Sequence, residues 1–287
     1  CKSNFVFWTF NILFMFSFFK SPGKNKQAYT IAFYNLENLF DTKKDPLILD
    51  DDFTPNGNKH WNYKRYKRKI NKLSSVISQI GTERSYFSPA IVGVAEVEND
   101  TVLSDLISTI NLKNEHYGVV HYDSPDERGI DVALLYKKEL FELLHSETFT
   151  LYIENEYGER DFTRDILLVK GNLNGELMHV LINHWPSRRS GEDVSEEKRI
   201  KAAELVTSIV HKINEETTNA KIIVMGDFND NPTNISVKKY LVNNTFYNPM
   251  ERLIDTGNGT LNHKNKWHLF DQIIFSKNFI EVEENKH

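Results

Sequence analysis

The stretch Val224–Asp230, which reads Val-Met-Gly-Asp-Phe-Asn-Asp, holds the residues best suited to chemistry. An apolar run ends at a glycine and is followed at once by polar side chains. Side chains alternate between the two faces of an extended segment, so Asp227 and Asn229 are expected to point to the same side. The carboxylate could bind a hard cation or accept a proton from water, and the amide could donate to an anionic oxygen. Taken alone, the stretch is equally consistent with an Asx turn that closes a strand.

Three further apolar runs also end in a polar side chain. They end at Asn35, at Glu96 and at His184. In α/β sheets, the carboxyl ends of the strands form the edge at which sites assemble. An amide, a carboxylate, an imidazole and an Asp/Asn pair stand at these four ends. One shared site explains this set better than four unrelated turns do. The sequence therefore predicts that these side chains meet in one site.

The elements that must position these residues alternate between strand-type and helix-type patterns from Tyr29 onward. Seven runs rich in Val, Ile, Leu and Phe predict strands: Thr30–Leu36, Ala90–Ala95, Asp131–Tyr136, Asp165–Leu173, Leu177–Asn183, Lys221–Gly226 and Leu269–Phe275. Two apolar stripes with spacings of three and four predict helices: Tyr66, Ile70, Leu73, Ile77 and Ile80, and then Ile200, Ala203, Val206, Val210 and Ile213. Ser195, followed by two glutamates, predicts where the second helix begins. One α/β domain over residues 28–287 is the economical interpretation.

The composition narrows the class of protein. Apolar residues make up 40% and charged residues 26% of the 287, as in ordinary soluble globular chains. The single cysteine, Cys1, excludes an internal disulfide framework and a cysteine-based zinc site. The formal net charge of −5 gives no global basic character that would indicate a nucleic-acid binder.

An almost wholly apolar run, Phe5–Phe19, stands near the start of the chain, with Lys2 before it and a polar stretch after it. The run is shorter than the ~30 Å hydrocarbon core of a bilayer requires. It is typical of a signal peptide, so residues 1–27 are predicted to form a targeting segment cleaved near Ala28. An uncleaved anchor and a buried helix are the alternatives. We expect an exported protein, either periplasmic, secreted or attached to the cell surface.

A set of short motifs resembles the endonuclease/exonuclease/phosphatase superfamily, in order and over roughly residues 30–280. The motifs are Tyr34-Asn35-Leu36-Glu37-Asn38, Glu96, His184, Gly226-Asp227-Phe228-Asn229 and Phe270-Asp271-Gln272-Ile273-Ile274. This superfamily includes pancreatic deoxyribonuclease, abasic-site endonucleases, neutral sphingomyelinases and inositol-polyphosphate 5-phosphatases. Further motifs resemble those of the bacterial secreted or periplasmic branch of this superfamily, whose members are described as endonucleases. Examples are Phe53-Thr54-Pro55 and Arg128-Gly129-Ile130-Asp131. The resemblance implies an α/β (α+β) fold, the four-layer αββα sandwich, and a Mg²⁺- or Mn²⁺-dependent phosphoesterase.

The resemblance also implies roles for individual residues. Glu96 matches the metal-binding glutamate, and Asn35 matches the asparagine beside that metal. Asp227 matches the aspartate that positions or deprotonates the attacking water, and Asn229 matches the amide that steadies the phosphate. His184 matches the histidine that contacts a phosphate oxygen.

Four further residues complete the candidate site, the last three on weaker grounds. Asp271 matches the aspartate that orients the family's catalytic histidine. Tyr122 stands where the family often has a phosphate-contacting tyrosine. Arg128 lies in a motif, and Arg188 follows Pro186-Ser187 in a loop that could clamp phosphate. Surface charge is the alternative explanation for both arginines.

One departure from the family pattern concerns activity. The family ends with Ser-Asp-His, whose last two residues complete the metal site and the proton relay, and this tripeptide does not occur in the sequence. A chain that stops before the last strand of the sandwich is the favoured explanation, because every upstream motif residue is intact, and a degenerate member is the alternative. On either explanation, the polypeptide is predicted to be catalytically poor.

The substrate is less well determined than the reaction. The run Lys59–Lys69 holds six basic residues and no acid, with aromatic residues between them, which suits a phosphate backbone. The exposed face of the following helix is the alternative. We expect a monomeric phosphodiester hydrolase that acts on nucleic acid, with no protein partner implied. A phosphoesterase of the same fold acting on lipid or sugar phosphates, and a non-catalytic surface binding module, remain open.

Overall fold

A computed structural model of the chain describes residues 14–18, 27–188, 191–254 and 256–280. These residues form fifteen strands: β1 Phe14–Phe18, β2 Gln27–Leu39, β3 Ile91–Val97, β4 Tyr117–His121, β5 Asp131–Lys137, β6 Phe141–Phe149, β7 Ile153–Glu154, β8 Arg160–Asp161, β9 Ile166–Leu173, β10 Glu176–His184, β11 Ile222–Asp227, β12 Phe246–Tyr247, β13 Leu261–His263, β14 Lys266–His268 and β15 Asp271–Ser276. The α-helices are α1 Tyr63–Gln79, α2 Thr82–Ser85, α3 Asp100–Ile107 and α4 Glu192–Glu216. A π-helical segment covers Ser236–Val242, and 3₁₀ turns cover Asp51–Phe53, Pro249–Leu253 and Lys277–Phe279.

Two mixed sheets carry most of the strands. The first has the order β1-β2-β3-β5-β4, with β2 and β3 parallel. The second has the order β12-β15-β11-β10-β9-β6, with β10 and β11 parallel. The pairs β7–β8 and β13–β14 form separate two-stranded ribbons.

Alternation of side chains places apolar residues on both faces of the central strands. In β11, Ile223 and Met225 face the first sheet, whereas Ile222 and Val224 pack against α4. In β3, Val92 and Val94 likewise pack against α1 and α3. Three apolar cores therefore separate four layers, helix–sheet–sheet–helix. This is the predicted αββα sandwich, and the prediction is confirmed.

All seven predicted strands are present, with bounds that differ by a few residues. The edge strand β6 escaped prediction because it has only one buried residue and the adjacent Leu143 and Leu144 break the apolar alternation. The first helical stripe is confirmed in α1, where Asn62 caps the helix by accepting a hydrogen bond from the Arg65 backbone N–H at 3.1 Å.

The predicted start of the second helix was wrong. The helix begins at Glu192, three residues before Ser195, and Gly191 is its N-cap. Ser195 lies inside the first turn with its hydroxyl donating to the Gly191 carbonyl at 2.6 Å, which is why its cap-like sequence context misleads. Position 199 on the buried face is a charged residue, Arg199, whose side chain is fully buried.

The described part of the predicted targeting segment, Phe14–Phe18, pairs antiparallel with residues 27–31 of β2. The rest of residues 1–26 lies outside the described residues, so export remains a prediction. Arg189 and His287 also lie outside the described residues. No helix in the described ranges is both long enough and apolar enough to span a bilayer.

Candidate active site

The carboxyl ends of β2, β3, β10 and β11 and the amino end of β15 meet at one end of the sandwich. A cavity of about 930 Å³ opens there. Its lining includes all the predicted site residues except Tyr122: Asn35, Glu96, Arg128, His184, Arg188, Asp227, Asn229 and Asp271. Strand register brings several of them together, since His184 lies opposite Asp227 in the parallel pair β10–β11 and Asp227 lies opposite Asp271 in the antiparallel pair β11–β15.

Asn35 joins the two sheets across this cavity. Its Nδ2 donates to Glu96 Oε1 at 3.2 Å and to Asp227 Oδ2 at 3.1 Å. Its Oδ1 accepts a hydrogen bond from the Glu37 backbone N–H at 2.8 Å. In this arrangement the amide holds two carboxylates in place, and its oxygen is turned toward the backbone of its own strand.

Glu96 is delivered by an irregularity in β3. Its φ is 60°, in the left-handed region that favours glycine, and the register with β5 shifts between Ala95 and Val97. Such a bulge re-aims a side chain out of the regular alternation. A strained backbone at this carboxylate is typical of a functional position. His184 Nε2 lies 3.7 Å from Glu96 Oε1.

The loop after β11 fixes the Asp227 carboxylate and the Asn229 amide. The Asn229 backbone N–H donates to Asp227 Oδ1 at 2.9 Å, and Asn229 Nδ2 donates to the Trp185 carbonyl at 3.0 Å. Asn229 has a φ of 50°, so the chain turns there as an Asx turn would. The functional interpretation and the Asx-turn interpretation of this stretch therefore both hold, because the turn positions the Asp227 carboxylate and the Asn229 amide.

Mutual repulsion among the carboxylates defines the electrostatics of the cavity. Burial, and then the charge of Glu96, raise the pKa of Asp227 to about 6, against the hydrogen bonds from Asn229 and Asn35. Burial raises the pKa of Asp271 well above its ordinary value, and the charges of Asp227, Glu96 and Glu37 add to this. A concentration of buried oxygen ligands and negative charge is the environment that a hard divalent cation stabilises. The donor set therefore fits Mg²⁺ or Mn²⁺.

Arg164 is a site residue that the sequence did not reveal. Its buried guanidinium donates to the His184 carbonyl at 3.1 Å and the Trp185 carbonyl at 2.6 Å. It also donates to Asp126 Oδ2 at 3.0 Å, and Asp126 Oδ1 accepts from Arg128 Nε at 3.2 Å. Arg164 thus fixes the end of β10 and, through Asp126, one cationic side chain of the cavity. The one available signal was a charged residue directly before an apolar strand.

Arg188 is held by protein groups on several sides. Its guanidinium donates to the Asn229 carbonyl at 2.7 Å and to Asp230 Oδ1 at 2.5 Å, and it also pairs with Glu192. Asp230 is fully buried and lies 2.8 Å from the Nε of Arg199. The predicted phosphate clamp is therefore largely engaged in fixing the Asn229 loop.

Two predicted features lie away from the cavity lining. Tyr122 is exposed, and its hydroxyl contacts Ser146 Oγ at 2.8 Å. In the basic run, Lys67 pairs with Asp105 at 3.3 Å, while Lys69 turns inward and donates to the Asn38 carbonyl at 3.2 Å. Burial lowers the pKa of Lys69 to about 8. The run is therefore only partly a free basic surface.

His121, Asp123 and Asp131 form a second group that could hold a metal ion, outside the cavity lining. The buried His121 ring lies between Asp100 Oδ1 at 2.9 Å and Asp131 Oδ2 at 3.1 Å. Burial opposes the charged form, but the hydrogen bond and charge of Asp131, with Asp100, raise the pKa of His121. The two carboxylates account for both ring nitrogens of His121.

Comparison with known proteins gives one family. Residues 30–287 match the model of the Endonuclease/Exonuclease/phosphatase family. No curated protein matches the chain significantly.

Solved structures show the same fold at low sequence identity. A humanized D. rerio TDP2 is 15% identical with a TM-score of 0.58, over 86% of this chain and 83% of that one. A mannosyl-6-phosphatase of Bacteroides thetaiotaomicron is 17% identical with a TM-score of 0.55, over 86% and 85%. D. rerio TDP2 in complex with a single-strand DNA product is 16% identical with a TM-score of 0.54, over 86% and 83%.

Proposed function

The chain belongs to the endonuclease/exonuclease/phosphatase family, and we propose that it is an exported, Mg²⁺- or Mn²⁺-dependent phosphodiester hydrolase that acts on nucleic acid. The observation that carries the proposal is the meeting of three carboxylates, two amides and an imidazole from separate strand ends in one cavity. The apolar run Phe5–Phe19 supports export.

Glu96 is the residue that would hold the metal ion, with Asn35 beside it. Asn35 fixes the carboxylates of Glu96 and Asp227 relative to each other by donating to both. When bound, a divalent ion supplies positive charge to the phosphate and to the leaving oxygen.

Asp227 is placed to accept the proton of the attacking water. Its pKa of about 6 leaves the carboxylate mostly ionised at neutral pH while keeping it a competent base. Hydrogen bonds to both of its oxygens, from Asn229 and Asn35, fix its orientation. Asp271 lies opposite it in the register. Its family role is to orient the histidine of Ser-Asp-His, a tripeptide that does not occur in the sequence.

His184 and Asn229 are placed to stabilise the negative charge that develops on the non-bridging oxygens. Asn229 Nδ2 uses one hydrogen on the Trp185 carbonyl, which leaves the second for a phosphate oxygen. The backbone of His184 is held at the cavity by Arg164, which donates to the His184 carbonyl and to the Trp185 carbonyl. Donors fixed before the reaction are those that lower a barrier most.

The comparisons offer two substrate classes. The complex of D. rerio TDP2 with a single-strand DNA product supports a polynucleotide. A sugar phosphate is the second candidate, because the B. thetaiotaomicron mannosyl-6-phosphatase has the same fold and a cavity of about 930 Å³ accommodates a molecule of that size.

The test is hydrolysis of bis(p-nitrophenyl) phosphate, single-stranded DNA and mannose 6-phosphate by the chain, in Mg²⁺ and in EDTA. We expect slow hydrolysis of the two diesters only, because no Ser-Asp-His completes the proton relay, and we expect EDTA to silence it. Asp227→Asn should lower this rate at least 100-fold, since loss of a general base costs about 10²–10⁴ in rate. Cleavage of mannose 6-phosphate alone would move the proposal to a sugar phosphatase. Diester hydrolysis that resists EDTA would contradict a metal-dependent mechanism.

A further inference from the structure

The cavity has two chemically opposite walls. One wall carries the carboxylates of Glu37, Glu96, Asp227 and Asp271. The other carries Arg188, His263 and His268, with Glu192 as the one carboxylate among its lining residues. That carboxylate is already paired with Arg188. Metal and scissile phosphate belong to the first wall, so the second wall has chemistry that the proposed reaction does not use.

The ribbon β13–β14 supplies the two histidines of the second wall. His263 and Lys266 are register partners at its tip, and His268 ends it. Thr260 anchors its base, because the Thr260 hydroxyl oxygen accepts from the backbone N–H groups of Phe270 and Asp271 at 3.0 and 3.1 Å. The ribbon is thus fixed to the start of β15, the strand that carries Asp271.

His268 is oriented toward the cavity with a donor available. Asn231 Nδ2 lies 3.4 Å from His268 Nδ1, so the amide donates to that nitrogen and the ring proton is on Nε2. The ring lies 5.0 Å from that of Phe270, over which the Arg188 guanidinium lies at 4.9 Å. The Phe270 ring therefore packs against both basic side chains.

The basic groups of this wall repel one another. Burial, and then the charges of Arg188 and Lys266, lower the pKa of His268, and His263 adds to this. The His263 side chain is exposed and makes no hydrogen bond or ion pair within the described residues. Basic side chains that converge on a cavity at mutual cost are stabilised when an anion is bound between them.

We infer that His263 and His268, beside the already paired Arg188, form a subsite for a second phosphate group of the substrate, next to the phosphate that is hydrolysed. The inference rests on the proposed function and narrows its substrate class to molecules with two phosphates, as successive nucleotides of a polynucleotide have. It assigns the ribbon β13–β14 to substrate selection, whereas the strand ends perform the chemistry.

The test compares two substrates that differ only in the second phosphate: thymidine 5′-(p-nitrophenyl phosphate) and its 3′-phosphorylated form. We expect the wild type to prefer the 3′-phosphorylated form about tenfold in kcat/KM, as one charge-assisted contact would give. In His263→Ala/His268→Ala the preference should fall to about one. Lys264→Gln is the control. It removes a charge from the tip of the same ribbon, but the Lys264 side chain does not line the cavity, so the preference should be kept.

A binding measurement separates failure of the subsite from failure of the proposed function. Calorimetric titration in EDTA with thymidine 3′,5′-bisphosphate and thymidine 5′-monophosphate needs no turnover. The wild type should bind the bisphosphate about tenfold more tightly than the double variant does. Equal affinities of the wild type and the double variant for the bisphosphate would overturn the subsite, even if hydrolysis is found. A kinetic preference that survives in the double variant would do the same. If hydrolysis is absent but the binding difference is found, the proposed reaction is overturned and the subsite is retained.

Discussion

Asn35 is the residue on which the geometry of the site depends most directly. Its amide bridges Glu96 in the first sheet and Asp227 in the second, at 3.2 and 3.1 Å. Two carboxylates brought this close repel each other unless donors or a cation lie between them. The bridge therefore keeps the negative charge concentrated where a divalent ion is proposed to bind.

Removal of the Glu96 charge tests the metal assignment. In Glu96→Gln we expect Mg²⁺ affinity to fall at least tenfold with the fold intact, because the strand end keeps its shape and loses its anionic ligand. Isothermal titration calorimetry measures the affinity. Glu154→Gln, an exposed glutamate of β7, is the matched control and should bind as the wild type does. Unchanged Mg²⁺ binding in Glu96→Gln would remove this residue from the metal site.

Arg164 is expected to matter for stability as much as for the site. Arg164→Met leaves the buried Asp126 without its buried partner at 3.0 Å and frees two backbone carbonyls. We expect a loss of about 3–5 kcal/mol in the free energy of unfolding, the usual cost of breaking a buried pair from one side. Urea denaturation measures it.

A double variant and an exposed arginine control for this prediction. Arg164→Met/Asp126→Asn should be less destabilised than the sum of the single changes, because both partners are then uncharged. Arg160→Gln, an exposed arginine of β8, should change the free energy of unfolding by less than about 1 kcal/mol. A small effect of Arg164→Met would mean that solvent reaches this pair.

At the scale of elements, the strands shape the site where they depart from regularity. β2 shifts register with β3 between Asn35 and Leu39, and Glu37 and Asn38 there have φ values of 53° and 60°. Lys69 of α1 donates to the carbonyls of these two residues. The helix thus supports the bulge that follows Asn35, which gives part of the basic run a positioning role.

The exposed part of α1 tests the proposal of a polynucleotide substrate. Lys64 and Arg68 are exposed, and Lys64→Gln/Arg68→Gln should reduce the slope of log affinity against log salt for duplex DNA by about two units, one per lost phosphate contact. Fluorescence anisotropy across a salt series measures the slope. Lys238→Gln/Lys239→Gln makes the same charge change beside α4 and should leave it unchanged. Equal slopes in all three proteins would mean that α1 presents a solvated face.

At the scale of the whole molecule, the sandwich separates its reactive end from its core. His179 lies in β10 five residues before His184, roughly 17 Å along the strand. It is buried, and its burial together with the charge of Lys170 lowers the pKa of His179 to about 4. The folded protein therefore keeps this ring neutral over a range in which the unfolded chain, with a histidine pKa of about 6.5, binds a proton.

This difference makes stability depend on pH. Because the unfolded state binds more protons between pH 6.5 and 4, the stability held above pH 6.5 should be lost progressively as the pH falls toward 4. His179→Gln should show a shallower loss over this window, measured by urea denaturation at a series of pH values. His211→Gln, an exposed histidine of α4, should follow the wild-type curve. Parallel curves for the wild type and His179→Gln would contradict a neutral buried ring.

The sequence by itself determined seven of the strands, the two long helices and the polar strand ends, because alternation and helical spacing are local properties of the chain. It also ordered the motifs from Asn35 to Asp271 that name the family. It misplaced the start of α4 because Ser195 has the sequence context of a cap and the packing of a core residue. It missed β6 because an exposed edge strand carries no apolar alternation.

Only the tertiary structure decided which groups face one another. Asn35 and Asp227 are 192 positions apart in sequence, and Arg164 reaches Asp126 across 38, so no local pattern reports these contacts. The same holds for the basic wall, where Arg188 from the loop before α4 and His268 from the ribbon β13–β14 both contact the Phe270 ring. Burial and pairing of charges are set by such long-range packing, and they decide which polar residues can do chemistry.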